Sequence, residues 1–217
     1  MSDYLIFMPL HHIIQHNQTT QIYIWKITES YDQLFTEVKL NEKNTARLQN
    51  MKSEMHRRGF LSVRKLLEYN GYSDFDLYYD ETGKPHLYDG RHISITHSHE
   101  FSAIVLSDIN IGIDMEMQRE KIKIIADKFT AALEESYLDK NSEAYIAKLT
   151  VIWGTKEAIF KVRNEIGISF KDHISLLPFE TADGKATAIL SFNQTESSFS
   201  VHFEQIEGFT LVYVIEG

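Results

Sequence analysis

Ile111-Gly112-Ile113-Asp114-Met115-Glu116 is a short apolar run closed by two carboxylates, one residue apart. In an extended strand successive side chains point to opposite faces, so Asp114 and Glu116 share one face and Ile113 and Met115 the other. Two acids on one sheet face are either a solvated strand end or half of a metal site. The residues on either side decide between the two.

The chain around this strand has 217 residues, 43% of them hydrophobic, which suffices for a substantial core in one large domain or two modest halves. It contains no cysteine, which excludes a disulfide framework, a thiolate zinc site and a protein thiol as nucleophile, and fits a reducing compartment. Met1 to Leu10 has no cationic segment ahead of its apolar residues, and no run of about 18 apolar residues occurs. The expectation is a cytoplasmic protein with no membrane association. A formal charge of -9 argues against bulk nucleic-acid binding, so an anionic ligand would need a local basic patch.

Upstream of the acids, Tyr23 to Ile27 reads as a strand and Ser30 as the cap of a helix over Tyr31 to Val38. His11, His12 and His16 lack an acid or a further ligand at suitable spacing and are assigned to a loop or surface. Thr45 to Tyr69 has helical spacing in Leu48, Met51, Met55, Phe60, Val63, Leu66 and Leu67, with Gly71 as the stop. On it Arg57 and Arg64 lie seven apart, two turns along one face, either as a solvated basic face or aimed at one anion. Leu77-Tyr78-Tyr79 is a strand, and Asp80 to Pro85 is a turn that joins two strands or cradles a flat ring or a phosphate. Ile93 to His99 alternates in period two, setting Thr96 and Ser98 against His97 and His99, and Ser107 to Asn110 reads as a hairpin turn between Phe101–Leu106 and Ile109–Ile113.

Downstream, Gln118 to Phe129 interleaves basic and apolar residues, which suits either an amphipathic helix packed on its own domain or a surface for an acidic partner. A helix over Ala131 to Leu138 follows, then a long one over Ala147 to Arg163. On the latter Trp153, Glu157 and Lys161 are each four apart and stack on one face. The remainder is strand-rich: Ala186 to Phe192, Phe199 to Phe203 and Phe209 to Ile215.

Four of these fragments occur in one order: Thr82-Gly83-Lys84-Pro85, Ser94-Ile95-Thr96-His97-Ser98, Ile111 to Glu116, and Trp153 to Lys161. Together, over roughly residues 80 to 165, the sequence resembles the 4'-phosphopantetheinyl transferase superfamily, in particular its two-lobed, surfactin-synthetase-activating type. The resemblance implies an α+β pseudo-dimer of two similar lobes, residues 1–108 and 109–217, each a mostly antiparallel sheet packed with helices, with the active site in the cleft between them. It implies transfer of the phosphopantetheine arm of coenzyme A to a serine of an apo acyl, peptidyl or polyketide carrier protein, with release of 3',5'-ADP.

By the same resemblance Asp114, Glu116 and Glu157 match the metal-binding acids, for Mg2+ or Mn2+. Lys161 matches the lysine at the pyrophosphate, and Glu157 is the candidate to take the proton of the incoming serine, a metal-bound hydroxide being the rival. Thr96 and His97 match the 3'-phosphate contacts, Gly83, Lys84 and Pro85 the adenine-pocket turn, and Arg57 and Arg64 a helix bordering that pocket. The basic patch demanded by the net charge is then Arg57, Lys84, His97 and Lys161, and Arg119, Lys121 and Lys123 are candidates for docking an acidic carrier. The expected assembly is a monomer. Two other readings stand beside this one: metal-dependent hydrolysis of a nucleotide pyrophosphate such as coenzyme A, and a non-catalytic module that binds coenzyme A or a carrier.

Overall fold

The computed structural model of the protein describes residues 10–217, so the reading of Met1 to Leu10 lies, apart from Leu10, outside the described residues. Strands β1 (Leu10–Gln15) and β2 (Gln21–Lys26) are followed by helices α1 (Tyr31–Glu37), α2 (Glu42–Asn50) and α3 (Glu54–Tyr69). The small hairpin β3 (Leu77–Tyr79) and β4 (Pro85–Leu87) leads to β5 (His92–Ser98) and β6 (Phe101–Ser107). Then come β7 (Ile111–Met117), α4 (Ile122–Ile125), α5 (Ala132–Tyr137), α6 (Tyr145–Arg163), α7 (Phe170–His173), β8 (Ile174–Leu176), β9 (Lys185–Phe192), β10 (Thr195–Ile206) and β11 (Phe209–Glu216). The fold is α+β: one antiparallel sheet runs β1-β2-β6-β5 and another β7-β11-β10-β9-β8, with β3-β4 as a third pair.

Period-two alternation puts both faces of the central strands to use. In β2, Tyr23 and Trp25 join a core with Phe60, Leu61 and Leu67 of α3, while Ile22 and Ile24 face the other way. There they meet Ala103 and Val105 of β6, Ile111, Ile113 and Met115 of β7, and Leu211 and Tyr213 of β11. Two sheets therefore pack face to face, each covered outside by its own helix, α3 on one and α6 on the other. Burial on both faces explains why β2 and β6 read as near-continuous apolar runs.

Two expectations are corrected. The helical stretch 45–69 is two helices, because Asn41 caps α2 and the Ser53 hydroxyl accepts from the His56 amide to start α3 anew. Both pack on one core, so the apolar spacing runs through the break unaltered. Ser107 to Asn110 is no hairpin turn: β6 pairs with β2 and β5, whereas β7 pairs with β11 in the other sheet. His11 and His12 are exposed, as the surface alternative has it, and lie in strand β1. The α1 cap is as expected, a capping box between Ser30 and Gln33.

Helix α6 lies unusually close to β7 because residue 112 has no side chain. A Cβ there would stand 2.0 Å from the Ala158 carbonyl oxygen, and one at Gly154 would stand 2.9 Å from Cγ2 of Val212. The far side of the helix is anchored by a fully buried ion pair. Lys156 Nζ lies 2.9 Å from Glu134 Oε1 and also donates to the carbonyls of Phe129 (2.6 Å) and Phe170 (2.9 Å). Glu134 in turn accepts from the amides of Ala131 and Leu176. Every polar atom of this pair is engaged, so removing one partner strands a buried charge. Lys156→Met should destabilise the fold by about 3–5 kcal/mol in urea titration; a loss below about 1 kcal/mol would contradict this reading of the pair.

Candidate active site

Strand β7 presents Gly112, Asp114 and Glu116 to α6, while Ile111, Ile113 and Met115 are buried against the first sheet. The shared face expected for the two acids is therefore the face that α6 covers. Lys161 Nζ donates to Asp114 Oδ1 (2.9 Å) and to the Ile113 carbonyl (2.8 Å), and Trp153 Nε1 donates to Glu116 Oε1 (3.2 Å). The spacing of Trp153, Glu157 and Lys161 along one helix face is what brings them to this strand.

The edge of β5 closes on β7 through side chains instead of a backbone ladder. Ser94 Oγ accepts from the Ile113 amide and Thr96 Oγ1 from the Met115 amide, both at 3.2 Å. Thr96 Oγ1 also donates to Asp114 Oδ1 at 3.2 Å. Asp114 Oδ1 thus receives two donors, whereas its Oδ2 is buried with no hydrogen-bond partner among the described residues.

The acids repel one another. Burial, then the charge of Asp114, lifts the Glu157 carboxyl to about 7, with Lys161 opposing and Glu116 adding to the rise. Burial and then Asp114 likewise push Glu116 up. Charge repulsion of this kind, an orphaned buried carboxylate oxygen and an all-oxygen donor set fit a hard divalent cation. Among the described residues no three acidic or imidazole side chains are already gathered as a metal cluster. Asp114 Oδ1 faces Lys161, and Glu116 faces Trp153. The residues suit such an ion, and their side chains would have to turn toward one another to hold it.

Asp114, Glu157 and Lys161 form one wall of a cavity of about 500 Å3. The rest of the lining comes from α2, α3, the β3–β4 hairpin and β5, and includes Arg47, Arg64, Gly83, Lys84, Pro85, Thr96 and His97. Arg64 is held by Asp74 Oδ1 (2.8 Å) and the Phe60 carbonyl (3.1 Å), and its second terminal nitrogen is buried with no partner among the described residues. A buried guanidinium nitrogen left free in a cavity wall is a donor offered to an anion. Arg47 lies over the ring of Tyr79, 5.0 Å from its centroid. Desolvation, then His56 and Lys161, lower the pKa of the His97 imidazole from its ordinary value, although water reaches the ring.

Other side chains from the sequence reading stand elsewhere. Arg57 does not line the cavity: its Nε donates to the Met51 carbonyl and its guanidinium lies over Tyr31. Arg57 and Arg64 therefore do not converge on one anion, because each is drawn to a different neighbour. Glu116 is also outside the lining. Lys84 does line it, but its Nζ donates to the carbonyl of Val162 (2.8 Å) and to Asn110 (3.1 Å), so it ties the β3–β4 turn to the last turn of α6. Burial lowers its pKa. Arg119 contacts His99, Lys123 pairs with Glu120, and Lys121 is exposed. The expected helix around them is a single turn, α4, whose Ile122 and Ile125 pack inward.

Sequence reasoning missed Arg47, Asp74 and Asn164. Arg47 sits near the start of the helical stretch, where nothing in the spacing separates a cavity arginine from a solvated one. Asp74 is recognisable only from the burial of Arg64 and from the Asn41 and Asn44 groups that also bind it. Asn164, a left-handed helix cap, donates to Thr82 and closes the turn from the other side.

A pH dependence follows from Glu157. The folded protein keeps this proton up to about 7, whereas the unfolded chain loses it in the ordinary carboxylate range. Between those values the folded state binds more protons, so stability falls as pH rises. In metal-free buffer the thermal midpoint should drop between about pH 5 and pH 8, Glu157→Gln should flatten the slope, and Mg2+ should restore the wild type at about pH 8. An unchanged slope in the variant would contradict the assignment.

No curated protein matches the chain. Among the four fragments named above, the β7 acids and the Trp153–Lys161 face fall inside a matched stretch, and the Thr82–Pro85 and Ser94–Ser98 fragments fall outside it. Residues 110–214 match the family model described as the 4'-phosphopantetheinyl transferase superfamily.

Proposed function

We propose that the protein transfers the 4'-phosphopantetheine arm of coenzyme A to the serine hydroxyl of an apo carrier protein and releases 3',5'-ADP. The observation that carries this reading is a single cavity with carboxylates and an ammonium on the wall inside the matched domain, and guanidinium and imidazole groups on the wall outside it. One end suits a pyrophosphate with its counter-ion and the other a further phosphate. The two halves, meeting near residues 108 and 109, then act as two lobes of a pseudo-dimer of the surfactin-synthetase-activating type, working as a monomer.

In this scheme Arg47, Arg64 and His97 hold the 3'-phosphate, and the β3–β4 turn at Gly83 to Pro85 borders the adenine. Lys161 sits at the pyrophosphate, where its charge offsets that growing on the leaving group. Glu157 accepts the proton of the serine hydroxyl, a task suited to a carboxyl poised near 7. The serine oxygen forms a bond to the pantetheine-side phosphorus, the bond from that phosphorus to the bridging oxygen breaks, and the electron pair leaves with 3',5'-ADP. Asp114, Glu116 and Glu157 would hold Mg2+ or Mn2+, which supplies Lewis-acid polarisation of the phosphoryl oxygens. Arg119, Lys121 and Lys123 lie on the surface that follows β7 and would meet the acidic carrier.

The test is release of 3',5'-ADP from coenzyme A with and without an apo carrier. Release only with the carrier present, and lost when its acceptor serine is replaced by alanine, supports transfer. Equal release without any carrier indicates hydrolysis instead.

A further inference from the structure

His97 projects from β5 into the cavity, and no hydrogen bond among the described residues orients its ring. What holds it is the backbone of α3. A Cβ built on Gly59 would stand 3.0 Å from both Cγ and Nδ1 of His97 and 3.3 Å from its Cβ. The imidazole therefore lies against the one residue of α3 that has no side chain, with the His56 ring nearby at 6.1 Å between centroids.

Glycine is a costly choice at this point. Gly59 is buried in the interior of a 16-residue helix, where only proline is a poorer helix former. The helix is also brought close to the sheet here by small polar residues. Ser62 Oγ bonds to the Gly59 carbonyl and to Ser102 Oγ, each at 2.8 Å, and Ser102 is the cross-strand partner of His97. Helix α3 is thus pinned at this depth, so an added methyl group would be relieved by the ring swinging into the cavity.

We propose that Gly59 is a positioning residue whose missing side chain sets the His97 imidazole in place for the 3'-phosphate of coenzyme A. This inference rests on the transferase reading above. A purely structural glycine would affect stability and leave nucleotide affinity alone. A positioning glycine does the reverse.

The experiment measures calorimetric affinity for 3',5'-ADP and for dephospho-coenzyme A, with thermal stability alongside, in wild type, Gly59→Ala, His97→Ala and the double variant. Gly59→Ala should bind 3',5'-ADP about tenfold more weakly, the loss of one charge-assisted contact. Its affinity for dephospho-coenzyme A should change by less than about twofold, and its thermal midpoint should be unchanged or raised by the better helix former. The double variant should bind no more weakly than His97→Ala, because the glycine acts through that ring. Losses that add, equal weakening of both ligands, or wild-type affinity in Gly59→Ala would each overturn the role of Gly59. A wild type that binds neither ligand would overturn the transferase reading on which it rests.

Discussion

Glu157→Gln should lower kcat by at least about a hundredfold while raising the stability of the metal-free protein above neutral pH. The two effects have one cause. Glu157 stands near Asp114 and Glu116, and burial together with their charges lifts its carboxyl to about 7. Above that pH a negative charge is forced into a site that already holds negative charge. Glutamine keeps the shape and the helix and removes that charge, so the fold gains. On the proposed reading it also removes the proton acceptor and a ligand for the cation, so catalysis should fail. Loss of activity with gain of stability separates a strained functional carboxylate from an ordinary buried one, whose removal lowers both. Steady-state kinetics with coenzyme A and a carrier, paired with denaturant titration at about pH 8, checks it. A variant that retains activity within a fewfold of wild type would remove Glu157 from the chemistry.

Gly112→Ala should destabilise the fold by at least about 3 kcal/mol, although alanine is an ordinary strand residue and the change adds a single carbon. The added atom would stand 2.0 Å from the Ala158 carbonyl oxygen, 2.8 Å from its carbonyl carbon and 3.0 Å from Val162 Cγ2. A backbone oxygen cannot swing aside as a side-chain tip does. Relief requires α6 to lift off β7, and the same movement draws Lys161 and Glu157 away from Asp114. Stability and activity should therefore fall together, in contrast to Glu157→Gln. The mirror-image change on the helix, Gly154→Ala, meets Val212 Cγ2 at 2.9 Å, a side-chain atom that can yield, and should be milder. Denaturation midpoints of the two variants decide the order, and equal, small losses in both would contradict the close packing inferred here.

These two glycines also show what the sequence discloses and what it does not. Period-two alternation in Ile111 to Met117 and period-four spacing of Trp153, Glu157 and Lys161 are local, and each correctly assigns a face. That the two faces meet is a tertiary fact. It was legible only because the fragments occur in an order known from a family, and the matched stretch, residues 110–214, contains both. The helix cap at Ser30 and the strands β3, β9 and β11 are likewise readable from short-range chemistry.

What escaped depends on partners that local spacing does not reveal. Arg64 and Arg57 have equivalent spacing on α3, yet Asp74 draws one into the cavity wall and the Met51 carbonyl holds the other away. Lys84 has the composition of a phosphate contact, but its ammonium is tied to the end of α6. The chain changes sheets between Ser107 and Ile111, where turn chemistry alone suggests a hairpin. In each case the local pattern permits two outcomes and a tertiary partner selects one, six and ten positions away for the two arginines and tens of positions away for Lys84 and β7. Among the described residues no helix is long and apolar enough to cross a membrane.

The proposed arm transfer takes place at the cavity between β7, α6 and β5. Its most direct test is the intact mass of a panel of apo fatty-acid, polyketide and non-ribosomal peptide carrier proteins after incubation with the protein, coenzyme A and Mg2+. At least one carrier should gain the mass of a single phosphopantetheinyl arm on its acceptor serine, and the gain should disappear with chelator and with Glu157→Gln. No gain on any carrier, while a transferase of established activity converts the same panel in parallel, would contradict the account.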